Sequence, residues 1–296
     1  MPENTTTKKG IYNMAAGSVM LSFSPVLFLF SGTAPFTGAF YRMVFGGIIL
    51  TLMVLVKREK IWKGKKQFYA VTVSALLFAI NLYLFHKTIG YAGGGIATLL
   101  GNFQVFVMAG FGFFVLGEKL NFRLVLAIPL AVLGIAMIIG FDWTGLTDDL
   151  RMGVIFGLTT AFLYGLFLIS LRKTQKLDDP LSPMVNIALL SILCSAILAG
   201  MTLGSGGSLN ISGMQSIGSL LAYGVFGQVL GHICITKGLA ETAPSIAGLL
   251  HLLQPALMYV WDIVIFSKET NIMEFSGFLI AMGAVYLGSA SGAKKI

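Results

Sequence analysis

Of 296 residues, 56% belong to an apolar set that leaves out glycine, and the 36 glycines bring the apolar share to about two thirds, where soluble domains run at about 45–50%. Charged residues make up 11%, too few to cover a soluble sphere of 31.7 kDa, and the mean hydropathy is +0.86. A soluble protein is excluded, so the net charge of +8 has to be read by its distribution rather than as a sign of a nucleic-acid partner.

A membrane-spanning helix needs about 20 mostly apolar residues. A transmembrane barrel would show short alternating segments instead, whereas this chain has long unbroken runs of Leu, Ile, Gly and Phe. Charged and turn-rich breaks predict ten spans, at 11–30, 34–56, 68–86, 92–116, 122–139, 152–171, 182–201, 213–236, 243–266 and 272–290. The polar start, with no small-residue cleavage site after the first apolar run, predicts a retained first helix rather than a signal peptide. Both cysteines, Cys194 and Cys234, sit inside apolar runs and have neither disulfide nor metal spacing.

With the N-terminus in the cytoplasm, sixteen lysines and arginines fall on the inner side. Six of them lie between Lys57 and Lys66. The outer loops hold three, Lys87, Arg151 and Lys268, and Arg42 lies within a span. This bias predicts ten spans in the cytoplasmic (inner) membrane with both termini cytoplasmic.

The chain also repeats itself. Residues 87–108 and 237–258, offset by 150, share seven of 22 positions, including Lys87/Lys237 and Gln104/Gln254. Chance would give about two in so apolar a composition. Five spans per half is an odd number, so the second half is inverted, an arrangement typical of transporters with substrate near the midplane. The expected fold is an all-α integral membrane protein of ten transmembrane helices, built as two inverted five-helix repeats around a central cavity. The halves are expected at 1–145 and 146–296.

At this point the residues resemble a family, the EamA-type ten-helix members of the drug/metabolite transporter superfamily. The resemblance rests on Arg42 early in the second span, Gly117-Glu118 closing the fourth and Gln254-Pro255 in the ninth. The small-residue patterns Ala127–Leu130–Gly134 and Gly277–Gly283 also fit, in the fifth and tenth spans. Two departures stand out: Val105 where the other half has Pro255, and Ser267-Lys268-Glu269 in place of a Gly-Glu pair. Within the superfamily the chain is most similar to amino-acid and metabolite exporters.

Polar side chains in lipid mark the candidate site, since an unpaired amide in hydrocarbon costs several kcal/mol. Gln104 shares a helical face with Ala97 and Met108, and Gln254 repeats that face with Ala247 and Met258. They either line the cavity or tie helices together. His251 lies one turn before Gln254 and carries the same two readings, as does His232 in the eighth span. His86 reads as interfacial. Asn81, Asn102 and Tyr164 lie near midplane and suit a ligand with both ammonium and carboxylate groups. On a straight helix Asn102 is about 200° from Gln104, so the two would not face one cavity.

Arg42 and Asp262 carry the formal charges deepest within the spans. The leading reading is a mutual ion pair that fixes packing or an outer gate; the next is a substrate carboxylate on Arg42; the third is Asp262 snorkelling to the headgroups. No histidines have metal spacing, and GGG at 93–95 has neither a preceding strand nor a following Lys-Ser/Thr. No metal or other cofactor is expected.

Without a nucleotide motif, the expectation is a secondary transporter, not an enzyme, that exports small neutral or zwitterionic metabolites. Amino acids, aromatic ones included, come first, and other metabolites or cationic drugs are the alternative. A membrane transferase would need clustered carboxylates for a metal. Sugar phosphates would need several midplane cations. The expected partners are a small-molecule substrate and the lipid bilayer, with no nucleic acid, for a chain working as a monomer.

Overall fold

Lipid offers the backbone no hydrogen-bond partner, so a spanning segment must satisfy its own N–H and C=O groups as a helix. The structure, a computed structural model, describes residues 6–117, 122–139, 147–267 and 269–292, and all regular structure among them is helical. Seven spans meet the length and hydropathy of a membrane crossing: Lys8–Ser31, Phe36–Val56, Lys65–Ala92, Arg151–Thr174, Pro183–Gly204, Met214–Ala240 and Pro244–Phe266. Three shorter apolar helices, Gln104–Phe114, Val125–Gly134 and Ile272–Ala284, supply the fourth, fifth and tenth crossings.

Helices begin where the sequence caps them. Thr7 Oγ1 accepts from Gly10 N at 2.9 Å, and Ser182 Oγ accepts from Val185 N at 3.2 Å. Asn271 Oδ1 accepts from Glu274 N at 2.8 Å at the head of the tenth span. Pro35, Pro183 and Pro244 stand at first helical positions, where a missing N–H costs nothing.

At one boundary the hydrogen bonding differs from expectation. Helical hydrogen bonding runs through Lys65–Gly101 without the predicted break near 87–91. No proline interrupts GYAGGGIA, so the backbone keeps its local ladder there. The chain nevertheless doubles back. A β-carbon on Gly101 would lie 3.8 Å from the Phe85 ring, whereas sixteen residues of straight helix would hold the two about 24 Å apart. The chain therefore turns between the third and fourth spans as expected, and a separate interruption, within the fourth span, falls between Gly101 and Gln104.

The loops sort into two ends. At the terminal end, Thr7 N donates to Glu241 O at 2.9 Å and Ala243 N donates to Thr6 Oγ1 at 3.0 Å. There the charged loop after the second span also meets the loop before the seventh, through Lys63–Asp179 and Ser182–Glu59 hydrogen bonds. At the opposite end, Thr37 Oγ1 and Tyr41 Oη donate to Ser208 O and Leu209 O at 2.7 and 2.8 Å. This alternation is that of two inverted five-helix halves. The expected division at 145/146 lies outside the described residues.

The fifth and tenth spans pack against each other along small residues. A β-carbon on Gly134 would lie 2.5 Å from Ala281 N and 2.6 Å from Gly277 O, so only glycine permits this approach. Ala127, Ala131, Ala281 and Ala284 are buried on the same spans. Gly117 ends the fourth span; Glu118 and Lys268 lie outside the described residues.

Candidate functional site

The fourth and ninth spans are both interrupted at the same repeat position. The fourth stops at Gly101 and restarts at Gln104; the ninth stops at His251 and restarts at Leu253. Pro255 falls in the first turn of the restarted ninth helix, where its absent N–H is harmless. The other half breaks without it: Val105 N donates to Asn102 O at 3.1 Å. Discontinuous helices place polar side chains and free backbone ends at the centre of a membrane protein.

A cavity of ≈ 270 Å³ opens at these breaks. The first, second, third, fourth, sixth, eighth and ninth spans line it; the fifth, seventh and tenth give it no described residue. It extends away from the termini, toward Leu29 and Ile89. On the terminal side Met108, Phe167, Leu168, Ile235, Leu239 and Ala247 are fully buried and close it off.

Asn81, Asn102, Gln104, Tyr164, His232, His251, Gln254 and Arg42 all border this one cavity. Tyr164 Oη and His251 Nε2 are 3.0 Å apart and join the sixth and ninth spans. Asn81 Nδ2 donates to Thr160 O at 2.9 Å, so it also ties the third span to the sixth. Gln104 is buried with no partner for Oε1 among the described residues. The straight-helix expectation for Asn102 is corrected: the break after Gly101 re-aims the chain, and Asn102 and Gln104 border the same space. His86 is corrected as well. It is buried, lines the cavity among the rings of Phe28, Phe36 and Phe85, and its Nδ1 lies 2.7 Å from Leu82 O.

Arg42 lies between two rings, with Cζ 4.9 Å from the Tyr223 centroid and 5.8 Å from that of Phe78. Its Nη1 donates to Tyr223 Oη at 3.2 Å and its Nη2 approaches His232 Nδ1 at 3.3 Å. A guanidinium in a membrane interior costs about 2.5–3.5 kcal/mol, of which two cation–π contacts return about 0.5–2 kcal/mol each. The side chain of Asp262, its expected partner, lies outside the described residues.

The sequence reading missed Tyr223, Phe78, Ser24 and Thr160, all of which line the cavity. One signal pointed there, the glycine-rich GVFGQVLG after Tyr223. It folds as a π-helix, Gly224–Gly231, a device frequent at functional sites. A β-carbon on Gly227 would lie 3.0 Å from Ser24 Oγ and 3.2 Å from Arg42 Nε, so the glycine clears the space the guanidinium occupies. Gln228, on the same turn, is structural: its Nε2 donates to Ser191 Oγ at 2.8 Å. Among the described residues no three His, Cys, Asp or Glu side chains converge on a metal-sized site.

Comparison with known proteins agrees with this architecture. A relative from Clostridium kluyveri, named an uncharacterized transporter, is 24% identical over 251 residues, covering 81% of this chain and 79% of its own. A protein of known crystal structure superposes with a TM-score of 0.82 over 98% of this chain and 99% of its own; at 12% identity that likeness speaks to fold alone. The sequence profile of the EamA-like transporter family matches twice, over residues 8–140 and 151–290. With both halves matched, the chain belongs to the EamA-like transporter family, within the drug/metabolite transporter superfamily.

Proposed function

We propose that this protein is a secondary transporter that exports small neutral or zwitterionic metabolites, foremost amino acids and aromatic ones among them, by alternating access. One observation carries the reading: the cavity at the two helix breaks is walled by polar side chains from both halves, with Arg42 the single formally charged residue among its described lining residues. Phosphorylated substrates call for several cations, and a cationic drug would meet the guanidinium. A zwitterion meets both the positive charge and the neutral hydrogen-bonding groups. A volume of ≈ 270 Å³ sits near the lower edge of the range of about 300–1,000 Å³ for small-molecule sites, which suits a ligand of amino-acid size.

The charge bias favours cytoplasmic termini in the inner membrane, and in that orientation the cavity faces outward. Transport then requires the buried terminal-side contacts to part while the opposite end closes. The reading needs no nucleotide, metal or catalytic group, and a single chain contains the whole cavity.

The test is counterflow in liposomes holding the purified protein, screened with labelled amino acids, sugar phosphates and cationic drugs. Exchange of amino acids without ATP is expected. Exchange of phosphates but not amino acids overturns the substrate class, and exchange of nothing overturns the transport reading of the cavity.

A further inference from the structure

A guanidinium has five N–H donors and no acceptor. For Arg42 the structure supplies one clear acceptor, Tyr223 Oη at 3.2 Å from Nη1. The approach of Nη2 to His232 Nδ1 at 3.3 Å competes with a shorter one, because that same Nδ1 is 2.8 Å from Gly227 O. A carbonyl oxygen only accepts, so Nδ1 carries the proton and has no lone pair for the arginine. Arg42 Nε has no partner among the described residues. The ion pairs among those residues are Lys9–Glu241, Lys63–Asp179 and Arg151–Asp148, and none involves Arg42. The rings of Phe78 and Tyr223, with centroids 5.8 and 4.9 Å from Cζ, offer cation–π contact but no acceptor beyond Tyr223 Oη.

The same proton placement makes His232 Nε2 an acceptor, and it too lacks a partner among the described residues. A cation with spare donors therefore stands 3.3 Å from one nitrogen of an imidazole whose other nitrogen is a spare acceptor, and both side chains line the cavity. An α-amino acid offers the complement on one carbon, a carboxylate beside an ammonium. Carboxylates fit the planar arginine fork with two parallel hydrogen bonds.

We propose that Arg42 is the carboxylate-binding residue of the cavity, with His232 Nε2 receiving the ammonium of the same substrate. This rests on the transport reading and names the group that every good substrate must carry. Loss of the ligand carboxylate is more damaging than loss of its amine, because it leaves a buried cation unmatched whereas the amine gives up one neutral acceptor.

The experiment begins with wild-type protein in liposomes and so does not depend on any variant folding. Counterflow with labelled amino acids identifies an exchanged one; its primary amide, which lacks the carboxylate, and its deaminated acid, which keeps it, are then added as competitors. The acid is expected to compete at least about tenfold better than the amide. Arg42→Gln should lower affinity about tenfold or more, with partial recovery in Arg42→Lys, and folded protein is scored by gel filtration. Equal competition by amide and acid overturns the proposal while leaving transport standing. Arg42-dependent uptake of a plain carboxylate without any amino-acid exchange supports the proposal and overturns the amino-acid reading. Rescue of Arg42→Gln by Asp262→Asn makes the arginine an ion-pair partner and overturns the proposal; failure of every carboxylate overturns it together with the transport reading.

Discussion

The hydrogen bond between Tyr164 and His251 ties the sixth span to the ninth at the ninth-span break. Removing the hydroxyl in Tyr164→Phe leaves a buried ring nitrogen unmatched, at a cost of about 1–3 kcal/mol. Gln254 is half-buried in the cavity wall next to that break. We expect Gln254→Ala to reduce exchange several-fold with folded yield nearly unchanged, and Tyr164→Phe to reduce both. Counterflow rate per unit of folded protein, set beside the detergent melting temperature, separates the two. A Gln254→Ala protein that melts early yet exchanges normally would assign the glutamine to helix packing alone. Polarity in a hydrocarbon setting made Gln104, Gln254, His251 and His232 legible from the sequence. Tyr223 and Phe78 were not, because an aromatic ring packs against lipid, protein or guanidinium with the same hydropathy. His86 shows the reverse error: being near a predicted helix end suggested water, whereas the chain folds three phenylalanines around it.

Among the elements, the seam between the fifth and tenth spans has the least tolerance. Gly134→Val would drive its side chain into the backbone of Ala281 and Gly277, and overpacking of this kind costs about 1–3 kcal/mol. Nothing lies within 4 Å of a β-carbon on Gly283, so Gly283→Ala is expected to leave the melting temperature unchanged where Gly134→Val lowers it by several degrees. Thermal unfolding in detergent measures both, and a Gly134→Val protein as stable as Gly283→Ala would contradict the close approach. Both glycines belong to the small-residue patterns visible in the sequence, but hydropathy has no way to tell which faces a helix. Span existence was legible throughout, and the fifth coincides with its expected range at Phe122–Ile139. The break in the fourth span was not, since no proline marks it and a periodicity argument assumes a straight helix; that assumption misplaced Asn102 relative to Gln104.

For the whole molecule, the sorting of loops to two ends ties topology to charge. The positively charged segment after the second span meets the loop before the seventh at the end that carries Thr6 and Thr7. A cysteine at position 60, in a protein with Cys194 and Cys234 replaced by alanine, should resist membrane-impermeant maleimide in intact cells and react after permeabilisation. A cysteine at position 206, at the other end, should react in intact cells. The opposite pattern would invert the molecule and turn the cavity toward the cytoplasm.

The backbone contact between Gly134 and Ala281 also has a consequence in time. The fifth span closes the first half of the chain, and its partner, the tenth, leaves the ribosome five spans later. While about half the protein is still being made, the glycine face of the fifth span waits in the membrane with nothing matched to its shape. Long-range pairings of this kind form late and expose an intermediate until they do. The first five helices can insert as they emerge, but they acquire their final packing only once the tenth span has been made.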